Sequence, residues 1–243
     1  MKILAIDSSG MTASVAVWED NLISAEYTVN HKKTHSQTLL PMLEEISRMI
    51  ELDLNTVDAV AVAAGPGSFT GLRIGSATAK GLAEALNKPI VSVPTVDGLA
   101  GNLYGTDKLI CPIMDARRNQ TYTGLYEFVK NNEETEEKEF QLHSIANQRA
   151  VDIGEIIELI NENDREVIFL GDGVPVFKDT ISEKIRVPYS FAPASCNRQR
   201  AAVIAHLAAD LYRKGQYEEA AEHAPEYLRL SQAERERNEA MKA

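Results

Sequence analysis

The chain has 243 residues, 44% of them hydrophobic, enough for one large domain or two smaller ones that each bury a core. A formal charge of -11 argues against a protein that grips nucleic acid through its own basic face, so any RNA role has to pass through a partner. Cys111 and Cys196 stand without a CxxC pair, no secretory leader precedes the first strand, and no apolar run reaches membrane-spanning length; a reduced, cytoplasmic setting with no membrane contact is expected.

In chain order, Lys2 to Asp7 reads as a strand that ends in the turn formers Ser8-Ser9-Gly10. Ala13 to Trp18 and Leu22 to Val29 flank Glu19-Asp20-Asn21, the composition of a hairpin turn, and complete a three-stranded antiparallel start. Asp7 then lies at a strand end, where an acid followed by hydroxyls suits either a metal-bound phosphate or a plain Asx-type turn. From Thr34 to Leu52 the periodicity is helical, with Leu39, Leu43, Ile46 and Ile50 on one stripe and Leu40, Met42 and Met49 widening it. His31 and His35 have HxxxH spacing, but His31 precedes the helix, no Glu stands between them and no third ligand is evident; capping or surface roles fit better than a metal site.

The most distinctive stretch follows. A β-branched run from Val57 to Ala64 feeds Gly65-Pro66-Gly67-Ser68-Phe69-Thr70-Gly71, and a small-residue helix opens at about Gly71 and runs toward Asn87. Gly65, Gly67 and Gly71 admit backbone angles closed to other residues, and Ser68 and Thr70 offer oxygens to the first helical turn. The loop is either an anion cradle, with amides and a positive helix end converging, or a tight turn with a cap; it lacks both a P-loop ending and a GxGxxG fingerprint. Gly71, Gly75 and Ala79 would let a second helix come close, unless both helices are buried in the chain's own core.

Pro89 to Val93 is a short strand and Pro94 to Leu99 opens another helical stretch. Lys108 to Met114, the turn Asp115 to Gln120 and the strand Thr121 to Val129 then restart the hairpin architecture, a duplication faint in sequence. The mostly acidic run Asn131 to Glu139 reads as a solvated loop. Asp152 to Asn163 is a helix, Val167 to Leu170 a strand, Gly171-Asp172-Gly173 a turn and Arg198 to Lys214 a last helix; the final dozen residues are expected to fray or dock on a partner.

No GxSxG elbow exists and Cys111 sits in a buried-type strand, which argues against a serine or cysteine hydrolase. A phosphotransferase on a duplicated fold needs a glycine-rich phosphate hairpin in each half, yet the second turn, Asp115-Ala116-Arg117-Arg118-Asn119, has no glycine. Its arginines suit phosphate, a salt-bridged loop or an interface anchor. General-base candidates are Asp7, Asp97 and Asp115.

Asp7-Ser8-Ser9, His35 to Pro41, Gly65 to Gly75, Asp115 to Arg118 and Pro225-Glu226-Tyr227-Leu228-Arg229 together resemble the bacterial TsaB (YeaZ) family nearly end to end. The resemblance implies an α/β fold of the actin/Hsp70-like (ASKHA) kind, two duplicated lobes, taken here as residues 1–103 and 104–243. It implies a non-catalytic partner in threonylcarbamoyladenosine formation on tRNA: the paralogue TsaD transfers the threonylcarbamoyl group and the ATPase TsaE joins the pair. In TsaD an HxxxH metal pair follows the strand matching Ile90 to Val93, and Thr95 and Leu99 stand in the histidine places here. No catalytic residue and no metal ligand is therefore assigned. The family's partner helices map onto Thr34 to Leu52 and Gly71 to Asn87, so Leu39, Leu43, Ile46, Ile74, Thr78 and Leu82 are the expected partner contacts. Asp7, Ser8, Gly65, Gly67, Ser68, Thr70, Gly71 and Arg73 make up the candidate nucleotide or anion loop. The resemblance implies no cofactor of the chain's own, with ATP or ADP admitted at the complex interface, and tRNA reached through the complex. A homodimer through the same helices stays open, as does the rival reading of an ATP-dependent small-molecule kinase with Asp7 holding magnesium; a metallopeptidase-like activity is the weakest alternative.

Overall fold

The computed structural model describes residues 1–31, 34–130 and 140–229. The acidic run Asn131 to Glu139 and the chain from Leu230 onward, with the expectations attached to them, lie outside these residues. The first half runs β1 (Lys2–Asp7), β2 (Ala13–Glu19), β3 (Leu22–Val29), α1 (His35–Met49), β4 (Ala59–Gly65), α2 (Phe69–Leu86), β5 (Ile90–Pro94) and α3 (Thr95–Gly101). The second repeats the same succession: β6 (Leu109–Asp115), β7 (Gln120–Lys130), β8 (Phe140–Asp152), α4 (Ile153–Asn163), β9 (Val167–Leu170), α5 (Val174–Lys184), β10 (Tyr189–Phe191) and α6 (Ala201–Arg213). The two sheets share one topology, β3-β2-β1-β4-β5 and β8-β7-β6-β9-β10, with antiparallel hairpins on one side of the central strand and parallel strands on the other.

The local chemistry explains the elements. Asp20 and Asn21 make the two-residue turn between β2 and β3 with φ of 45° and 67°, the left-handed pair that a tight hairpin requires. β1 and β4 lie at the centre of the sheet and are covered on both faces, hence their unbroken apolar runs. β8, α5 and β10 were not anticipated. β8 is a 13-residue edge strand of mixed polar sequence whose place is fixed by pairing with β7 rather than by periodicity.

Helices α1 and α2 cover one face of the first sheet: Leu39, Met42, Leu43, Ile46 and Ala79 pack on Leu4, Ile6, Val15, Val17, Val60 and Val62. The opposite face is covered by α6, whose alanines 201, 205, 208 and 209 allow close approach to Ile3, Ala5, Ala16, Ala61 and Val91. In return α3 packs on the second sheet through Val96 and Leu99 against Ile110, Met114 and Tyr126. Each half thus lends its last helix to the other. The division at 103/104 separates α6 from the sheet it covers, and residues after α6 also return to the first lobe. Ile90 and Glu218 exchange backbone hydrogen bonds of 2.8 and 2.9 Å.

α6 begins without a capping side chain of its own, because Arg200 occupies its N-cap. The first lobe supplies the caps. Ala201 donates its backbone N–H to Ser14 Oγ (2.9 Å) and Ala202 to Glu26 Oε1 (3.2 Å), while the Arg200 guanidinium pairs with the same Glu26 carboxylate.

Candidate cleft between the two lobes

The turns that close β1–β2 and β6–β7 and the loops after β4 and β9 meet at a cleft of about 670 Å³, lined among others by Gly10, Gly67, Phe69, Asp115, Tyr122 and Asp172. In the first turn Asp7 is 1% exposed, and its Oδ1 accepts from Ser9 N–H (2.9 Å) and Ser9 Oγ (2.6 Å). Burial lifts the Asp7 carboxyl to about 6, against the Ser9 hydrogen bonds and the nearby His35, which pull it down. His35 donates its Nε2 proton to Gly10 O (2.8 Å), a carbonyl that can only accept, so the ring braces this turn while His31 lies exposed.

The glycine-rich loop behaves as a tight turn and cap. Ser68 N–H donates to Ser9 O (2.7 Å), and Ser68 Oγ accepts from Gly71 N–H (3.3 Å) at the start of α2. Ser8 Oγ donates to Gly71 O (2.8 Å). A Cβ on Gly71 would run into the Ser8 carbonyl and one on Gly75 into the Ser8 hydroxyl. Gly71 and Gly75 therefore admit the chain's own first turn, and Ala79 is buried in the core that α2 shares with α1 and the sheet. Thr70 is exposed, and the Arg73 guanidinium lies 4.2 Å from the Phe69 ring centre.

The second turn, which has no glycine, takes a different path from the first. Arg117, Arg118 and Asn119 hold φ of 63°, 55° and 61°, three successive left-handed residues. Asp115 caps the turn, accepting from Arg117 N–H (2.8 Å) and pairing with the Arg117 guanidinium (3.0 Å), while the Arg118 side chain is exposed. The third candidate base, Asp97, accepts from the Tyr126 hydroxyl (2.7 Å), and burial raises its pKa. Asp172, also raised by burial, carries a buried Oδ1 without a hydrogen-bond partner.

The segment Pro225–Arg229 crosses this cleft. Glu226 N–H donates to Ala64 O (2.7 Å), and Gly65, at φ 124°, leaves room for the Glu226 carbonyl that any side chain there would strike. The Tyr227 ring stacks on Phe69 (4.3 Å between centres), and its hydroxyl accepts from Arg73 Nε (3.3 Å). From the second lobe Gln148 Nε2 donates to Glu226 Oε2 (2.7 Å), and Arg229 donates to the carbonyls of Ala116 and Arg117. Sequence reasoning noted this motif but gave it no place; its alternation of Tyr and Arg beside a proline carries no signal of where it docks.

The expected partner contacts divide. Leu39, Leu43 and Ile46 are 1%, 6% and 5% exposed and belong to the core under α1, a correction that follows from α1 lying flat on the sheet with this stripe inward. Ile74, Thr78 and Leu82 are half-buried on α2. The exposed residues of these helices include Leu40 and Met49 on opposite flanks of α1, at 57% and 67%, and Ala77 and Gly81 on α2, beside polar ones such as Gln37, Glu44 and Glu84. Thr95 and Leu99 are fully buried in α3. Among the described residues no group of three His, Cys, Asp or Glu side chains is placed to hold a metal ion, and no helix is long and apolar enough to cross a membrane.

Two copies of one βββαβαβα unit facing each other across a cleft define an α/β protein of the actin/Hsp70-like (ASKHA) class. Residues 23–237 match the family model described as TsaD, tRNA N6-adenosine threonylcarbamoyltransferase. The chain is 35% identical over 237 residues to the tRNA threonylcarbamoyladenosine biosynthesis protein TsaB of Bacillus subtilis (strain 168), a match that covers 96% of each. It belongs to the TsaB family. The protein of the same name from Escherichia coli (strain K12) is 36% identical over 143 residues, 56% of this chain and 61% of that one. YeaZ from Pseudomonas aeruginosa superposes with a TM-score of 0.74 at 25% identity, over 93% of this chain and 100% of that structure.

Proposed function

We propose that this chain is a subunit without catalysis of its own that activates the threonylcarbamoyl transferase TsaD in tRNA threonylcarbamoyladenosine formation and helps recruit the ATPase TsaE. The observation that carries this reading is the strapped cleft, whose two lobes are bridged by a segment of the chain itself. Where a two-lobed phosphotransferase holds its nucleotide, this chain lays its own Pro225–Arg229, and the facing turn pairs Arg117 with Asp115. The net charge of -11 supports tRNA contact through the complex. This reading takes the outward sides of α1 and α2 as the partner surface, with Leu40 on α1 and Ala77, Gly81, Ile74, Thr78 and Leu82 on α2 as its contacts. ATP or ADP then belongs at the shared interface, and without TsaD the same faces are open to a second copy.

The test is reconstitution with TsaD, TsaE, tRNA and separately supplied threonylcarbamoyl adenylate. Modified tRNA is expected to rise when this chain is added to TsaD and to be absent with this chain alone. ATP turnover by the isolated chain that Asp7→Asn abolishes would replace this reading with the kinase.

A further inference from the structure

We propose that Pro225–Arg229 is a releasable latch that clamps the two lobes across the cleft it lines. Its contacts span both lobes: Ala64, Phe69 and Arg73 on the first, Gln148, Ala116 and Arg117 on the second. Its root is fixed. His223 is 2% exposed, its Nδ1 lies 2.9 Å from Ser92 Oγ and 2.8 Å from Glu218 Oε1, and Lys80 Nζ donates to the carbonyls of Ala221 and His223. Beyond that root the arm changes character. Glu226 and Tyr227 are exposed, Leu228 and Arg229 half-buried, and the arm holds on by a few separate polar contacts and one ring stack. A segment with a buried root and lightly buried contacts opens at a much lower free energy than the sheets it bridges.

The latch also acts on the second turn. Left-handed residues other than glycine are unfavourable, and Arg229 holds the carbonyls at the entrance of the 117–119 run. Release of the arm at one lobe therefore loosens contacts on the other. This inference concerns the chain's own opening and stands apart from the TsaD reading.

Hydrogen exchange of the full chain tests it. Arg229→Ala is expected to speed exchange about tenfold both in residues 116–120, where the side chain docks, and in residues 67–69 of the opposite lobe, while β1 and β4 stay protected. Arg229→Lys, which keeps the charge and a single terminal nitrogen donor, should recover part of the protection at both places. Faster exchange confined to 116–120 would overturn the latch, because Arg229 would then only cap its own turn; unchanged exchange would overturn it as well. Should β1 and β4 also lose protection, Gln148→Ala, which cuts the Glu226 side-chain contact at the surface, decides: faster exchange at 67–69 supports the latch and none refutes it.

Discussion

At the scale of single residues, the first turn concentrates the most unusual electrostatics of the cleft. Asp7 is buried with its proton affinity raised, so its pKa is about 6 in the folded chain against 3.8 when unfolded. The folded state then holds the proton more tightly, and the stability this brings is complete below pH 3.8 and lost as the pH rises through 6. Asparagine keeps an oxygen for the Ser9 donors and does not titrate. Asp7→Asn should therefore gain on the wild type by up to about 3 kcal/mol between pH 4 and pH 7, with little further gain above, read as unfolding midpoints across that range. In the opposite turn Arg118, exposed and left-handed, is a residue that glycine should improve. Arg118→Gly is expected to raise stability by about 0.5–1 kcal/mol in urea unfolding, unlike a glycine placed in a helix or strand.

At the scale of elements, the structure separates what periodicity can tell from what it cannot. The helical repeat of α1 and the glycine-rich entry to α2 were legible because they are local. Which side of α1 faces inward was not, since Leu39, Leu40, Met42, Leu43 and Met49 form an arc wider than one face and the choice belongs to the sheet beneath. Two variants follow from that orientation. Leu43→Glu should unfold the chain, because an unpaired charge enters the core, whereas Leu40→Glu should leave the circular dichroism spectrum unchanged and abolish capture of TsaD. The caps of α6 were illegible for a related reason: Ser14 and Glu26 lie far from Arg200 in sequence. Glu26→Ala strands the Arg200 guanidinium and the Ala202 amide together, and should cost about 2–3 kcal/mol in denaturant unfolding.

At the scale of the whole molecule, the duplication was readable from the hairpin that Lys108 to Val129 restarts, and the structure adds a likeness at the ends of β4 and β9, where Gly65 and Gly171 share positive φ of 124° and 107°. The strap was not readable, because a five-residue segment bound by backbone carbonyls leaves no periodic trace. Nor was the exchange of α3 and α6 between the halves, and its consequence reaches beyond packing. A polypeptide severed between residues 103 and 104 yields an N-terminal piece whose sheet has one bare apolar face, where Ile3, Ala5, Ala61 and Val91 lose α6, and a C-terminal piece carrying an orphaned alanine-rich helix. Expressed separately, the pieces should aggregate; expressed together, they should reassemble into a soluble pair that co-elutes at the size of the intact chain. Inheritance by duplication has left two halves that look alike and yet are not interchangeable modules, since evolution can neither lose nor transplant one without stripping the cover from the other.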